Sequence, residues 1–334
     1  MKSSESDGST KVAASRAETY PLPAAMVGET VGTFLIVLLG TGAVATAVLT
    51  GALSGLLPVA CVWGAAVTLA ILCTAGLSGA HLNPAVSLAL CLFRSPQFPR
   101  RRLPYYWAAQ MIGAVLAALV IWAAFGPLLE RFEGQEGLIR GGPGSERAAM
   151  IFGDYFPNPA MFGAGPDTAA LMSPLLAAAV EALGTGVLVL VVFAVSDPVN
   201  RARFPAPVGP VVIGVTVTVL IAVFAPLTMA GWNPARDLGP RLVALAAGYG
   251  AVAFPGPLGG FWVYTVGPLF GAVVAGGLYQ GMTAAARRPK SVCDPVGATS
   301  EKNPGRVRPG VPGRAAVTVL RVKDRDEVGR SFHG

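Results

Sequence analysis

Apolar residues run along this chain in long blocks separated by short polar breaks. Six blocks, at 24–49, 56–76, 105–128, 171–195, 207–228 and 259–282, predict helices of about 20 predominantly apolar residues, the length that crosses a ~30 Å hydrocarbon core. Two further apolar stretches, at 84–93 and 234–247, follow the strings Gly79-Ala80-His81-Leu82-Asn83-Pro84-Ala85-Val86 and Ala230-Gly231-Trp232-Asn233-Pro234-Ala235-Arg236-Asp237. Asn is a favoured N-cap, and Pro fits the first helical position because its missing N–H would find no partner there. Each string therefore predicts a helix start. The first stretch is stopped by Arg94, Ser95 and Pro96 after ten residues. At ~1.5 Å per residue that is ~15 Å, half a membrane.

The blocks repeat. Glu29-Thr30-Val31-Gly32-Thr33 in the first is matched by Glu181-Ala182-Leu183-Gly184-Thr185 in the fourth, and the following Asn-Pro-Ala lies at Asn83 in one half and Asn233 in the other. Each half reads as a span carrying Glu-x-x-Gly-Thr, a second span, a half-helix and a third span. Three crossings per half force the halves to enter from opposite faces. The fold class predicted is an all-α membrane protein of six spans and two re-entrant half-helices in an inverted repeat, the half-helices meeting N-terminus to N-terminus at mid-membrane. Gly28 and Gly32 in the first span, and Gly267 and Gly271 in the sixth, stand four apart, a spacing that lets helix backbones approach closely.

Composition agrees: the chain is 53% hydrophobic and 13% charged, too apolar for a soluble domain. Its net charge of +7 does not indicate nucleic acid, because the cations sit in tails and short loops. Lys2, Lys11, Arg16, Arg94, Arg100, Arg101, Arg102, Arg201, Arg203, Arg287, Arg288 and Lys290 all fall on one face if both termini are cytoplasmic, while loops 50–55 and 248–258 carry no Lys or Arg. The positive-inside rule then gives a multi-pass plasma-membrane protein with both ends inside. The expected domains are a cytoplasmic tail at 1–23, a membrane domain at 24–283 (repeat one at about 24–128, external loop at 129–170, repeat two at about 171–283) and a disordered cytoplasmic tail at 284–334, in which 315–322 could form a short element. The N-terminus lacks the apolar core of a signal peptide. The external loop, with Glu130, Glu133, Glu136, Glu146, Asp154 and Asp167 against three arginines, reads as a lid or vestibule. Its Asn158-Pro159-Ala160 reads as an ordinary turn, because Gly163, Gly165 and Pro166 leave no apolar helix behind it. Cys61, Cys73 and Cys91 are expected to pack in apolar surroundings and Cys293 to be a tail thiol, with no metal-ligand spacing among them.

Glu29 and Glu181 are acids inside spans and so functional candidates. A proton relay needs differing partners along a path. A symmetric pair instead suits two acceptors that tie down matched non-helical loops, and the structural role is preferred. Backbone at membrane depth must be bonded or face water, so the carbonyls of Gly79, Ala80, His81, Met229, Ala230 and Gly231 are expected to line a lumen. His81 has no second ligand-type residue beside it and is expected to act through backbone and packing. Facing helix N-termini at Asn83 and Asn233 give a positive maximum that repels cations, while the Asn amides can serve a neutral solute. Arg236 stands in a helix's first turn, where a cation opposes the dipole. That placement suggests function, with a buried ion pair to Asp237 as the competing reading.

With both Asn-Pro-Ala strings in place, the chain resembles the major intrinsic protein family, the aquaporins, over roughly 24–282. Asp237, Arg241, Pro268, Leu269 and the loop string Tyr155-Phe156-Pro157-Asn158-Pro159 are similar to the aquaglyceroporin subfamily. The resemblance implies a homotetramer with one pore per subunit, a pore that excludes protons and ions by half-helix ends and an arginine, no catalysed reaction, no metal and no cofactor. It implies pore motifs Asn83, Pro84, Ala85, Asn233, Pro234 and Ala235. It also implies an external constriction of Trp63, Ile221, Ala230 and Arg236. Glycerol facilitators usually carry glycine and an aromatic where Ile221 and Ala230 stand, and the set here is similar to plant nodulin-26-like members. The implied solutes are glycerol and other small neutral molecules such as urea, water and metalloid acids. A water-selective pore, a metalloid channel and, from another class, a proton-coupled transporter are the alternatives.

Overall fold

The computed structural model describes residues 20–198, 200, 205, 207–256 and 260–287. The tails at 1–19 and 288–334, with Lys2, Lys11, Arg16, Arg288, Lys290, Cys293 and the element expected at 315–322, lie outside the described residues, as do Arg201, Arg203 and the side chain of Arg287.

The described residues form helices and no strand: α1 Leu22–Thr50, α2 Leu56–Ser78, α3 Pro84–Phe93, α4 Leu103–Gln135, α5 Pro174–Ser196, α6 Val208–Thr228, α7 Pro234–Ala244 and α8 Val263–Arg287. Five of these, α1, α2, α4, α5 and α6, are long and apolar enough to cross a bilayer. The sixth expected span, α8, is 25 residues long but diluted by five glycines, Pro268, two tyrosines and Gln280, and does not reach that apolarity. Large apolar side chains such as Leu69, Leu72, Ile112, Leu116, Leu183, Val215 and Val219 are exposed on the outer faces, as lipid contact requires. The protein is a membrane protein of several apolar helices.

The two halves pack by one scheme. In the first, α1 lies against α2 and α4; in the second, α5 lies against α6 and α8. The halves join where α2 meets α6 and by exchange of the short helices, α3 packing on α8 and α7 on α4. Close approach depends on small residues: Gly267 and Gly271 of α8 sit against the Ala178 and Ala182 backbone of α5, as Gly113 of α4 sits against Thr30 and Phe34 of α1.

Some expected boundaries move. The third span continues to Gln135, so the external loop begins seven residues later than the 129 expected. The loop is not structureless, since single helical turns form at Glu146–Ala149, Pro159–Phe162 and Pro166–Ala169. The second short helix ends at Ala244 and passes into a π-turn that kinks at Gly248. Cys91 is buried, but Cys61 and Cys73 are exposed on α2 instead of packed within the chain.

Candidate functional site

The two loops that lead into α3 and α7 define the centre of the molecule. Asn83 and Asn233 are extended (φ −158° and −138°), and each side-chain oxygen accepts from the first turn of its own helix: Asn83 Oδ1 from Ala85 N at 2.8 Å, Asn233 Oδ1 from Ala235 N at 3.1 Å and Arg236 N at 3.3 Å. Each amide then reaches the other loop. Asn83 Nδ2 donates to the Trp232 carbonyl at 2.9 Å, and Asn233 Nδ2 to the Leu82 carbonyl at 2.8 Å. The two helix starts are thereby joined across the pseudo-twofold.

These loops are backbone under strain. Ala80, Leu82, Met229, Ala230 and Trp232 all have positive φ (51°, 53°, 59°, 68° and 24°), a region that side-chain-bearing residues rarely adopt. Such residues persist where surroundings over-determine them, and two buried carboxylates do so here. Glu29 Oε1 accepts from His81 N at 2.9 Å and Oε2 from Leu82 N at 2.7 Å; Glu181 Oε1 accepts from Gly231 N at 3.0 Å and Oε2 from Trp232 N at 2.7 Å. Glu29 also accepts from Gln110 Nε2 at 2.7 Å. The glycine of each Glu-x-x-Gly-Thr repeat has a reason: a Cβ on Gly32 would overlap Leu82, and one on Gly184 would overlap the Trp232 indole.

A cavity of about 290 Å³ runs beside the joined loops. Its lining combines apolar side chains of α1, α2, α5 and α6, among them Ile36, Val67, Leu188, Val192, Val217 and Ile221, with Gly79, Ala80, His81, Asn83, Ala230, Gly231, Asn233 and Arg236 of the two loops and their helices. His81 Nδ1 lies 3.2 Å from Ser87 Oγ, and its ring packs on Phe98 and Tyr106. A second cavity of about 340 Å³ lies toward the 129–170 loop and takes Met229, which does not line the first. Trp63, Ile221 and Arg236 line both cavities and so mark their junction, while Ala230 lines only the first. Pro84, Ala85, Pro234 and Ala235 are buried and line neither cavity. Pro268 is buried within α8, and Leu269 packs against the cluster around Ala85 and Ala89.

Arg236 is paired, but not with Asp237. Its Nη1 lies 2.6 Å from Asp154 Oδ2, and its guanidinium stacks 4.5 Å from the Trp63 ring centre. Asp237 instead binds Arg241 one turn on, Oδ2 accepting from Nε at 2.7 Å, while its Oδ1 accepts from Asp154 N at 2.9 Å. Arg241 completes the knot by donating to the Ala253 carbonyl at 2.8 Å and to the Asp154 carbonyl. Burial pushes the Asp154 carboxyl above its ordinary value, and the Arg236 guanidinium acts in the opposite sense. The loop bearing Asp154 is anchored by Asn158, whose N–H donates to the Pro226 carbonyl at 3.1 Å and whose Nδ2 donates to the Ala225 carbonyl at 3.1 Å. The third Asn-Pro-Ala thus caps one helical turn and fastens the loop to the end of α6. Sequence reading missed Asp154. The available signal was its place immediately before Tyr155-Phe156-Pro157-Asn158-Pro159.

Two halves of one design, crossed by their short helices beside two adjoining cavities, define a polytopic helical membrane protein. The chain belongs to the major intrinsic protein family, a family of channels and facilitators, whose description matches residues 16–279. It is 37% identical over 278 residues to the glycerol uptake facilitator protein of Pseudomonas aeruginosa, covering 83% of this chain and 94% of that one. It is 36% identical over 261 residues to the propanediol uptake facilitator of Citrobacter freundii, covering 78% and 91%. Among solved structures, the aquaglyceroporin from Plasmodium falciparum superposes with a TM-score of 0.67 at 27% identity, over 80% of this chain and 98% of that one.

Proposed function

We propose that the chain is a passive channel for glycerol and other small uncharged solutes, including urea, water and metalloid acids. The observation that carries this is a lining that joins apolar side chains to the amides of Asn83 and Asn233 and the Arg236 guanidinium. Asn83 and Asn233 each spend one amide N–H on the opposite loop, leaving the other N–H for a solute. A polyol has the complementary shape, carbon on one side and hydroxyls on the other. The named substrates of the two facilitators, glycerol and propanediol, fit the same description. Metalloid acids are included because Ile221 and Ala230 resemble the set carried by nodulin-26-like members.

Glu29 and Glu181 are fully buried and their oxygens are occupied by loop N–H groups, which supports a structural role over a proton relay. Trp63, Ile221, Ala230 and Arg236 form the constriction on this reading, the loop carbonyls are acceptors along the path, and no reaction is catalysed. The membrane domain at 24–283 sits between two cytoplasmic tails in the plasma membrane, and four copies assemble with one pore each. The test is swelling of proteoliposomes in water, glycerol, urea and arsenous acid side by side. Glycerol should enter fastest among the organic solutes; folded protein that passes water alone contradicts the reading.

A further inference from the structure

We propose that Asp154 sets the specificity of the constriction: its carboxylate fixes the Arg236 guanidinium against Trp63 and cancels its charge, so the waist offers donors to neutral solutes without attracting an anion. The inference rests on the channel reading and concerns how that channel stays indifferent to charge. Asp154 comes from the long loop between α4 and α5, not from either half-helix, and is fully buried. Its Oδ2 stands 2.6 Å from Arg236 Nη1, an ion-pair distance with both side chains buried.

The neighbouring charges are settled elsewhere. Asp237 and Arg241 bind each other at 2.7 Å, and the remaining Arg241 donors go to the Ala253 and Asp154 carbonyls. Asp154, Asp237 and Arg241 together balance Arg236, while the fifth charge of the cluster, Glu181, is committed to the Gly231 and Trp232 N–H groups; Arg236 alone among the five lines the lumen. A cation unpaired in a narrow, low-dielectric passage concentrates anions by tenfold or more. Asp154 left without Arg236 would do the same for cations. Neutrality therefore belongs to the pair. Position does too: with Asp154 at its edge and Trp63 beneath its face, the guanidinium is held on two sides while its other N–H groups stay available.

A charge-swap cycle in proteoliposomes tests this, reading nitrate, potassium and glycerol permeability for wild type, D154N, D154E, R236Q and D154N/R236Q, with the folded fraction of each followed by size exclusion. D154N should raise nitrate permeability on the order of tenfold with potassium unchanged. R236Q should do the reverse, and D154N/R236Q should exclude both ions, since charge is again balanced. D154E should remain nitrate-tight. A purely structural role would not reverse the sign of the leaking ion. Folded D154N that excludes nitrate as wild type does overturns the proposal, as does D154E leaking as much as D154N. If D154N does not fold, R236Q and the double variant decide: absence of a potassium leak in R236Q, or its persistence in the double variant, overturns it. Wild type that fails to pass glycerol while the ion pattern appears would instead refute the solute reading and leave the pairing intact.

Discussion

Asn83 and Asn233 hold each other's loops: the Nδ2 of each donates to the carbonyl preceding the other, at 2.9 and 2.8 Å. Each also caps its own helix, so one side chain fixes both a helix start and the contact between halves. Asn233→Ala should lose a cap and leave the Leu82 carbonyl without its donor, together costing roughly 2 kcal/mol. Because the bonds are reciprocal, N83A/N233A should cost less than the sum of the single changes. Thermal unfolding in detergent checks this; strict additivity would show that the two side chains act independently.

Glu29 and Glu181 hold matched loops, and glutamine tests both. Glutamine in either place puts an amide group where a loop N–H needs an acceptor, leaving at least one buried donor unsatisfied at about 1–3 kcal/mol. Glu29 also serves Gln110, whereas the loop N–H groups are what Glu181 holds through its carboxylate. In both variants the remaining amide oxygen still accepts at the Oε2 position while one loop N–H loses its acceptor, so E29Q and E181Q should each unfold below wild type. Equal, undiminished melting temperatures would remove the carboxylates from the support of the loops.

Gly184 and Gly186 stand two apart on α5 and make a clean contrast. A methyl on Gly184 falls on the Trp232 indole, so Gly184→Ala should cost about 1–3 kcal/mol of overpacking and lower flux by displacing the loop. On Gly186 the new Cβ meets the Gly271 carbonyl at 3.5 Å and Ala275 at 3.6 Å, ordinary contacts. Gly186→Ala should be neutral or slightly stabilising, as alanine suits a helix better. Paired melting curves and glycerol flux separate the two.

Asp154 gives the expected pH response. Its carboxyl is raised by burial, with Asp237 and Glu181 acting in the same direction and Arg236 and Arg241 against them; Tyr264 of α8 faces the same cluster. Acidification through the raised value removes the negative charge while Arg236 keeps its own, so nitrate permeability should rise as pH falls and recover as pH is restored. D154N should show a high leak with little pH dependence. A wild-type leak that instead grows on alkalinisation would have the wrong sign for this residue.

Much of this architecture could be read from the chain, and the parts that could not share a cause. Asn-Pro before a short apolar run marks a helix start by local chemistry alone, and α3 and α7 begin at Pro84 and Pro234. The matched Glu-x-x-Gly-Thr strings were legible because a repeat needs no knowledge of the fold. The partner of Arg236 was not legible, since Asp154 is one of six acids in a long loop without periodicity. Helix geometry did hold one clue. Neighbouring residues point about 100° apart and do not face each other, whereas Asp237 and Arg241 at i,i+4 do. The length of α4 escaped for another reason: a helix end beyond the apolar run is set by tertiary packing that hydropathy does not record, whereas the lower apolarity of α8 stands in its own glycines, Tyr264, Tyr279 and Gln280.

The channel reading stands or falls with an open conduit for uncharged solutes beside the joined loops. The most direct measurement is glycerol flux into proteoliposomes with and without imposed pH and sodium gradients. Equilibration should be rapid, stop at equal concentrations, follow the glycerol gradient alone and fall sharply in folded N83A/N233A. Accumulation against the glycerol gradient driven by either ion, or unchanged flux in the double variant, would contradict it.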